Sequence, residues 1–259
     1  PSNHVTFAGI EDLTVENINT SADANVYFNR ASYCWAKNVY SKNPALDAFR
    51  LNRSFRLEVR GCTYSNNREY GTAFGYGINL RQGTCSCLIE DNIAFSTRDF
   101  IRVMGPSSGN VIAYNYHRGA LRLLNDSTQV PGTASVNTGM CHAPHPMMNL
   151  WEGNITYKPQ FDFVFGRSSH QTLLRNWFRG PDTWSTSNGG ALHIDYRHTF
   201  FNVVGNVLGT LPMLSPSYEN KYSLKVCNET CSPFGRGGNY YNLRVGYFTN
   251  TNPFNNNPA

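Results

Sequence analysis

The chain has 259 residues, of which 40% are hydrophobic and only 15% are charged, with a formal net charge of +5. This length suffices for one large domain, and no apolar run approaches the roughly 20 residues that cross a bilayer, which excludes a transmembrane helix. Most of the positive charge is arginine. It favours an anionic partner, such as an acidic polysaccharide or a nucleic acid, although a solvated surface is the plain alternative.

Six segments of the chain share one layout, and no helical period extends beyond a few residues. Each segment has two apolar residues at alternate positions, typical of a strand with one buried face, and then, at a nearly constant offset, an Asn or Gly followed by an apolar residue. The strand pairs are Val26/Phe28, Phe49/Leu51, Ile78/Leu80, Ile101/Val103, Phe163/Phe165 and Leu192/Ile194. The second markers are Asn38-Val39, Gly61-Cys62, Asn92-Ile93, Asn115-Tyr116, Asn176-Trp177 and Asn206-Val207. A fixed internal offset with variable spacing between copies predicts a solenoid of stacked coils.

The marker asparagines have a structural explanation. Asn tolerates a left-handed backbone at a bend, and Gly61, at the same place in its segment, is the other residue type suited to that conformation. Amides stacked one coil apart can also bond to one another along the axis. Asn17-Ile18 and Asn154-Ile155 fit the same series. We therefore predict a structural Asn ladder and look for catalytic residues elsewhere.

Insertions and a tail interrupt the repeat. Residues 68–76, 117–146 and 181–189 are rich in Gly, Pro and polar residues and predict long loops. The longest contains His142 and His145, but Pro144 between them argues against a helical metal motif. Residues 1–210 are predicted to form one parallel β-helix domain, and residues 211–259 a C-terminal cap or extended tail of the same domain.

The cysteines are predicted to have two roles. Cys34, Cys62 and Cys87 lie in or beside strand positions, where a small thiol packs as an apolar residue. Cys227 and Cys231 are close enough in sequence to form a disulfide, and Cys85 or Cys87 could join another.

Alignment of the strand pairs also aligns the residues between and beside them, which we expect to face solvent. On this outer face lie Arg50, Arg81, Arg102, Asp162, His193 and Asp195. Since parallel strands hold successive coils about 4.8 Å apart, these side chains are predicted to form one polar strip.

Such a strip suits the cleavage of a polysaccharide. In a lyase acting on a uronate polymer, His193 or an arginine would remove the proton beside the carboxylate, while Arg102 would stabilise the developing charge. In a hydrolase, Asp162 and Asp195 would be the acid/base pair. The plain alternative is that the strip is a set of surface charges without a catalytic task.

Further side chains are predicted to bind the substrate. Arg50 and Arg81 can hold carboxylates in bidentate fashion, and Tyr76 and Trp184 can stack on sugar rings. The sequence indicates no metal site, and it leaves open whether a cofactor is used.

The coil layout, the Asn positions and the segments SFRLEVRGCTYSNN, GYGINL, CLIEDNIAF, GNVIAYNY and MNLWEGNI make the chain resemble the right-handed parallel β-helix superfamily of pectate-lyase-like proteins. The resemblance covers about residues 7–209 and implies an all-β, single-stranded right-handed parallel β-helix with long loop insertions. It also implies an extracellular, carbohydrate-related role. The chain lacks the Asp cluster that binds calcium in pectate lyases and the paired-Asp motifs of polygalacturonases, so no catalytic residue is carried over.

The function predicted from the sequence is a secreted enzyme, a lyase or a glycoside hydrolase, that degrades an acidic polysaccharide. The expected partner is an anionic polysaccharide rather than a nucleic acid, at an extracellular or cell-surface location. The alternative is a non-catalytic β-solenoid for adhesion, a spike or an extracellular assembly, because open solenoid ends can self-associate unless they are capped.

Overall fold

The structure is a computed structural model that describes residues 4–18, 23–68, 75–123, 129–131, 137–180, 191–195, 197–209, 222–227 and 241–246. In these ranges the chain is all-β, and its strands stack as a parallel β-solenoid. This confirms the predicted fold class. The described part of the chain contains no helix long and apolar enough to span a membrane.

Three long sheets form the walls of the solenoid, and each coil contributes one strand to each. The long-strand sheet contains Ala24–Asn29, Asp47–Asn52, Tyr76–Arg81, Asp99–Met104, Asn137–His142, Lys158–Phe161, Leu192–Ile194 and Tyr222–Cys227, with Tyr241–Gly246 antiparallel at its end. The second sheet contains Gly9–Glu11, Trp35–Lys37, Glu58–Arg60, Leu88–Glu90, Val111–Ala113, Leu150–Glu152, Thr172–Leu174 and Asn202–Val204. The third sheet contains Thr14–Glu16, Tyr40–Lys42, Thr63–Ser65, Ile93–Phe95, Tyr116–Arg118, Ile155–Thr156, Trp177–Phe178 and Val207–Leu208.

Two smaller pairings complete the described strands. Val5–Thr6 pairs in parallel with Ala31–Ser32, and isolated bridges continue that column from Ser32 to Thr199. Leu121–Leu123 pairs with Gln129–Pro131 as an antiparallel hairpin. The region predicted as one long loop, 117–146, therefore also contains strands, and that prediction was wrong in part.

The apolar strand pairs lie in register where the sequence predicted them, with one exception. The first four pairs align coil on coil as Val26, Phe49, Ile78, Ile101 and as Phe28, Leu51, Leu80, Val103. The Phe163/Phe165 pair was wrong. The strand ends at Phe161, which is fully buried and aligned with Ile194, whereas Phe165 lies beyond it and is 77% exposed. A period of two fits both alternatives equally, so the run FDFVF could not decide the register.

A ladder of stacked amides follows the second sheet, as predicted. Each Nδ2 donates to the Oδ1 of the next amide at 2.8–3.0 Å and also to a main-chain carbonyl. The ladder residues are Asn92, Asn115, Asn154, Asn176 and Asn206. Each Oδ1 also accepts a main-chain N–H from the preceding coil. The first of these donors is the N–H of Cys62, which bonds to Oδ1 of Asn92. The amides therefore satisfy the backbone groups that each bend frees.

The bend itself lies one residue before the ladder. The residues with positive φ at this corner are Asp12, Asn38, Gly61, Asp91, Tyr114, Gly153, Arg175 and Gly205. Asn38 and Gly61 therefore correspond to Asp91 and not to Asn92, so both predicted markers were off by one position. Asn17 lies at another corner, after Thr14–Glu16, where its N–H donates to the carbonyl of Lys42. The left-handed backbone and the amide ladder are thus tasks of two neighbouring residues.

A second, shorter ladder precedes the second sheet and was not predicted. Asn110 donates from Nδ2 to Oδ1 of Asn149 at 2.9 Å, and Oδ1 of Asn110 accepts the N–H of Cys87 at 3.0 Å. Gln171 follows in the next coil, where it donates to the carbonyl of Pro146 and accepts from the indole of Trp151. Only two asparagines occur in this column, too few for the sequence to display a repeat.

The core between the sheets is apolar, but it contains one buried histidine. His117 stacks on Phe100 at 5.0 Å and meets Tyr157 edge-on, and its nitrogens lie 3.1 and 3.3 Å from the hydroxyls of Thr97 and Thr156. Burial lowers the pKa of His117 from 6.5 to about 3. The imidazole is therefore neutral in the folded protein at neutral pH.

The cysteines whose side chains are described are unpaired. Cys34, Cys62 and Cys87 are buried free thiols, as predicted, and burial raises the pKa of Cys87 to about 12. Cys85 is also free, so the disulfide considered for it or for Cys87 was wrong. Cys231 lies outside the described residues, so its pairing with Cys227 stays a prediction.

The predicted division at residue 210 also stays a prediction. Beyond it, Tyr222–Cys227 continues the long-strand sheet in parallel with Leu192–Ile194.

Candidate active site

The predicted polar strip lies on the long-strand sheet, but most of it is buried. Arg50, Asn79 and Arg102 align in successive coils, and His193 aligns with Gln160 further along the same sheet. The expectation that these residues face solvent was wrong. Arg50 is 7%, Arg102 6%, His193 4% and Asp195 1% exposed.

Two arginines of the strip, Arg50 and Arg102, form ion pairs within their own strands. Asp47 pairs with Arg50, and Asp99 pairs with Arg102. In each case Asp begins the strand and Arg stands at i+3, so the repeated Asp-x-x-Arg pattern was a signal that the sequence analysis overlooked. Arg102 also lies 4.3 Å from the ring centroid of Tyr76. The predicted sugar-stacking residue thus covers an arginine instead.

Burial and neighbouring charges shift the pKa values of two groups in this buried network. Burial raises the pKa of Asp47 above its ordinary value, although Arg50 and Asn79 act to lower it. Burial acts to lower the pKa of Arg102, but the neighbouring Asp99 and Tyr76 raise it above its ordinary value. Breaking either pair would leave a buried charge without its counter-charge, which is strongly destabilising. These arginines therefore have a structural role in holding the strands of the sheet together.

A second column, two residues further along the strands, brings together residues of a different kind. Asn52 aligns with Arg81, and Met104 with His142. Cys141 aligns with Phe161 and Phe161 with Ile194, so the residues that follow, His142, Asp162 and Asp195, stand side by side at about the coil spacing of 4.8 Å. Asp162 was predicted to stand before an apolar pair, and it stands after the strand instead.

His142 and Asp162 form an imidazole–carboxylate dyad at this position. Nδ1 of His142 lies 2.8 Å from both carboxylate oxygens of Asp162, and the N–H of Val164 donates to Oδ1 at 3.0 Å. The ring of Phe165 meets the imidazole edge-on at 5.5 Å. Since a carboxylate at Nδ1 holds the proton there, the neutral ring presents an unprotonated Nε2.

The dyad is accessible as well as oriented. The side chains of His142 and Asp162 are 15% and 14% exposed. Nε2 of His142 has no hydrogen-bond partner among the residues that the structure describes. A fixed imidazole with one free nitrogen is the arrangement of a general base.

A second imidazole–carboxylate dyad lies in the next coil, and its side chains are buried. Nε2 of His193 lies 2.8 Å from Oδ1 of Asp195, and Gln160 donates to Oδ2 of the same carboxylate at 2.8 Å. The two side chains of the dyad are 6% and 0% exposed. The buried dyad is therefore poorly placed to meet a large substrate.

A third imidazole borders the two dyads. Nδ1 of His198 accepts the main-chain N–H of Ser168 at 2.9 Å and lies 2.8 Å from its hydroxyl. Burial lowers the pKa of His198 below its ordinary value, although Asp195 and Asp162 act to raise it. His198 is therefore neutral at neutral pH and fixes the segment that follows Asp162.

The remaining predicted binding residues are placed as follows. Arg81 is half-buried, stands in the column of His142 two coils away, and forms no ion pair with any described residue. Trp184 lies outside the described residues, and its role stays a prediction. No group of three His, Cys, Asp or Glu side chains suited to a metal ion occurs in the described part of the chain.

Sequence reasoning missed His142 because it assigned the residue to a loop. His142 ends a strand whose apolar residues, Met140 and Cys141, are both buried, so the alternation that marks the other strands is absent. The register shift between Gly139 and Cys141 explains this.

Comparisons with known proteins add little to this geometry. No protein-family model and no curated protein matches the chain. Among solved structures, it is similar to PfbA, a surface adhesin of Streptococcus pneumoniae, at 10% identity and a TM-score of 0.30, over 95% of this chain and 80% of that one. It is also similar to QnrB1, a plasmid-mediated fluoroquinolone resistance protein, at 10% identity and a TM-score of 0.21, over 86% of this chain and 94% of that one. Both scores are too low to support an inference about this chain.

Proposed function

We propose that the chain is a secreted lyase that depolymerises a uronate-containing polysaccharide, with His142 as the catalytic base. The observation that carries the proposal is the accessible His142–Asp162 dyad, with unpaired Arg81 in the same column. The buried positions of His193 and Arg102 favour His142 over His193 as the base and Arg81 over Arg102 as the cation. The pectate-lyase-like superfamily remains the family prediction for this fold.

The spacing of these residues suits one sugar unit and its carboxylate. Two coil steps separate the backbones of Arg81 and His142 by about 10 Å. A guanidinium on its flexible stem extends several ångströms from the backbone, so a carboxylate held by Arg81 leaves the adjacent carbon within reach of Nε2. Arg81 binds the carboxylate in bidentate fashion and stabilises the charge that develops on it.

The reaction is a β-elimination. Nε2 of His142 removes the proton from the carbon that carries the carboxylate, and the electron pair forms a double bond to the neighbouring ring carbon. The bond from that carbon to the glycosidic oxygen breaks, and the oxygen leaves with its electron pair and takes up a proton. Asp162 holds the imidazole in the required tautomer and stabilises the imidazolium that forms.

Hydrolysis is the competing chemistry. Asp162 and Asp195 stand in neighbouring coils, and their backbone spacing of about 4.8 Å is near the separation of about 5 Å between the carboxyls of retaining glycosidases. However, Asp195 is 1% exposed and is held by both His193 and Gln160. A carboxylate enclosed in this way is poorly placed to attack a sugar, which favours elimination.

The test is an assay of the whole chain against polygalacturonate, alginate and the neutral polymer dextran. Elimination creates unsaturated sugars, which absorb ultraviolet light, whereas hydrolysis creates reducing ends without them. We expect unsaturated products from a uronate polymer. We expect His142→Ala to lower the rate about 10²- to 10⁴-fold, the usual contribution of a general base.

The matched control is His170→Ala. His170 is exposed at another corner, where it stacks on Phe200 at 4.7 Å, so this variant should retain the wild-type rate. Reducing ends without unsaturated products would contradict elimination in favour of hydrolysis. Binding without either product would favour the alternative of a non-catalytic adhesion solenoid.

A further inference from the structure

The outer face of the third sheet changes character along the solenoid. In the first coils it is polar. Lys42 pairs with Glu16 at 3.1 Å, and the hydroxyl of Tyr40 lies 2.8 Å from that of Ser65. In the later coils, the column that begins with Thr14 and Tyr40 continues with apolar side chains that face outward.

These apolar side chains form one continuous stripe, which we call the apolar stripe. Its members stand in register in successive coils, and they are Ile93, Tyr116, Ile155, Trp177 and Val207. Ile93 is 39%, Trp177 40% and Val207 60% exposed, and the other two are half-buried. A contiguous apolar surface of this kind marks an interaction site more often than isolated apolar residues do.

The stripe has a rigid aromatic centre. The indole N–H of Trp177 donates to the carbonyl of Gly209 at 3.0 Å, which fixes the orientation of the ring. Tyr116 stands two coils away, about 10 Å along the axis. The coil spacing is close to the length of one pyranose unit in an extended polysaccharide, so rings of such a chain can lie over successive coils.

The charge beside the stripe is positive. The next column contains Phe95, exposed Arg118, buried Tyr157 and half-buried Arg179. The guanidinium of Arg179 lies 5.1 Å from the ring of Tyr157 and 5.9 Å from that of Trp177. Arg118 forms no ion pair with any described residue. Neither column contains an acidic residue between Ile93 and Gly209. Aromatic faces next to cations complement a sugar chain that bears carboxylates.

We infer that the apolar stripe binds an acidic polysaccharide along the solenoid axis, at a surface separate from the dyad on the long-strand sheet. The identity of the ligand rests on the proposed function, whereas the surface rests on the stripe itself. Trp177 and Tyr116 stack on the sugar rings, and Arg118 and Arg179 bind their carboxylates. This second surface keeps the enzyme on its polymer between cleavage events.

The test measures the affinity of the whole chain for polygalacturonate and for alginate by affinity electrophoresis, with dextran as the neutral polymer. Each variant carries His142→Ala, so that the polymer stays intact. We expect Trp177→Ala and Arg118→Glu each to weaken binding at least about tenfold, since each removes one stacked or charge-paired contact with the polymer. Arg53→Glu, which reverses an exposed arginine at a different corner, should bind as the parent does.

The outcomes separate this inference from the proposed function. Unchanged binding by both stripe variants overturns the inference, even if the wild type makes unsaturated products. Weakened binding by both supports it, even if the wild type makes none. A dimer in solution that Trp177→Ala dissociates, with no effect on polymer binding, overturns it in favour of a second copy as the occupant. Because Trp177→Ala also removes the contact with Gly209, Arg118→Glu provides a test that leaves the packing intact.

Discussion

The amide ladders and the end of the long-strand sheet use the same types of side chain for opposite purposes. In the first ladder, every Oδ1 accepts a main-chain N–H, every Oδ1 from Asn115 onward also accepts from an amide, and every ladder amide but the last is at most 1% exposed. In the column of His142, Nε2 of that imidazole and the guanidinium of Arg81 have no bonding partner among the described residues. Complete satisfaction is typical of structure, and an oriented but unsatisfied group is typical of a site.

The difference also concerns repetition. The ladder recurs in every coil from Asn92 onward, because each bend frees the same backbone groups. The dyad occurs where the strand register shifts between Gly139 and Cys141. Irregularities of this kind re-aim side chains, and they are common next to active sites.

The largest effect is expected from breaking the ladder at its centre. Asn154→Ala removes the acceptor for two donors of Asn115 and the donor for Ile112 and Asn176. Since Asn154 is fully buried, the free energy of unfolding should fall by about 3 kcal/mol or more, because each stranded group costs about 1–3 kcal/mol. Urea denaturation followed by circular dichroism measures this change.

The control for this variant is Asn202→Ala. Asn202 is exposed and makes one long contact of 3.3 Å with Thr172, so its loss should change the free energy of unfolding by less than about 0.5 kcal/mol. Equal effects of the two substitutions would show that the ladder adds nothing to stability.

A smaller effect is expected from the buried His117. Its pKa is about 3 in the folded protein and near 6.5 in the unfolded chain, so between these values only the unfolded chain binds the proton. The folded state therefore loses stability as the pH falls, at a rate that approaches about 1.4 kcal/mol per pH unit below pH 6.5 and amounts to roughly 2.3 kcal/mol from pH 6.5 to 4.5.

His117→Gln removes this proton and should flatten the pH dependence by that amount. Denaturation of both proteins at pH 6.5 and 4.5 isolates the contribution, because all other titrating groups are common to them. Parallel curves for the two proteins would contradict the neutral, buried state of His117.

The smallest effect is expected from a substitution in the column of His142, where we propose that the substrate binds. Arg81→Gln should lower kcat/KM on a uronate polymer about ten- to a hundredfold, since a charge-assisted bond contributes about 1.5–3 kcal/mol, with little change in stability. Arg56→Gln, which removes an exposed arginine outside the column of Arg81, is the control for loss of charge. An equal loss of activity in both variants would indicate general attraction of the polymer rather than a specific contact.

The sequence predicts the fold well because the fold is repetitive. The pairs from Val26/Phe28 to Ile101/Val103 align in the structure as their common offset from the markers indicated. The ladder could be read for the same reason, although Asn38 was assigned one position away from its true place at the bend. Because the pattern recurs in several coils, one misassigned position does not change the predicted fold.

The site was harder to predict because it depends on exceptions to the period. Asp162 was predicted to precede an apolar pair, but the strand ends at Phe161 and Asp162 follows it. His142 follows a register shift, which the alternation of apolar residues does not reveal. Arg50 and Arg102 can be buried because each forms an ion pair with the Asp three residues before it. The periodic pattern alone predicts that both arginines face solvent. Features that occur only once in the fold can be located only from the tertiary contacts.

The central claim is that the accessible dyad, and not the buried one, meets the substrate. The most direct measurement is a crystal structure of the His142→Ala variant with a uronate oligosaccharide. The account predicts a sugar at the end of the long-strand sheet, with its carboxylate on Arg81 and the adjacent carbon facing the position that His142 vacates. An oligosaccharide that contacts neither Arg81 nor Asp162 would contradict it.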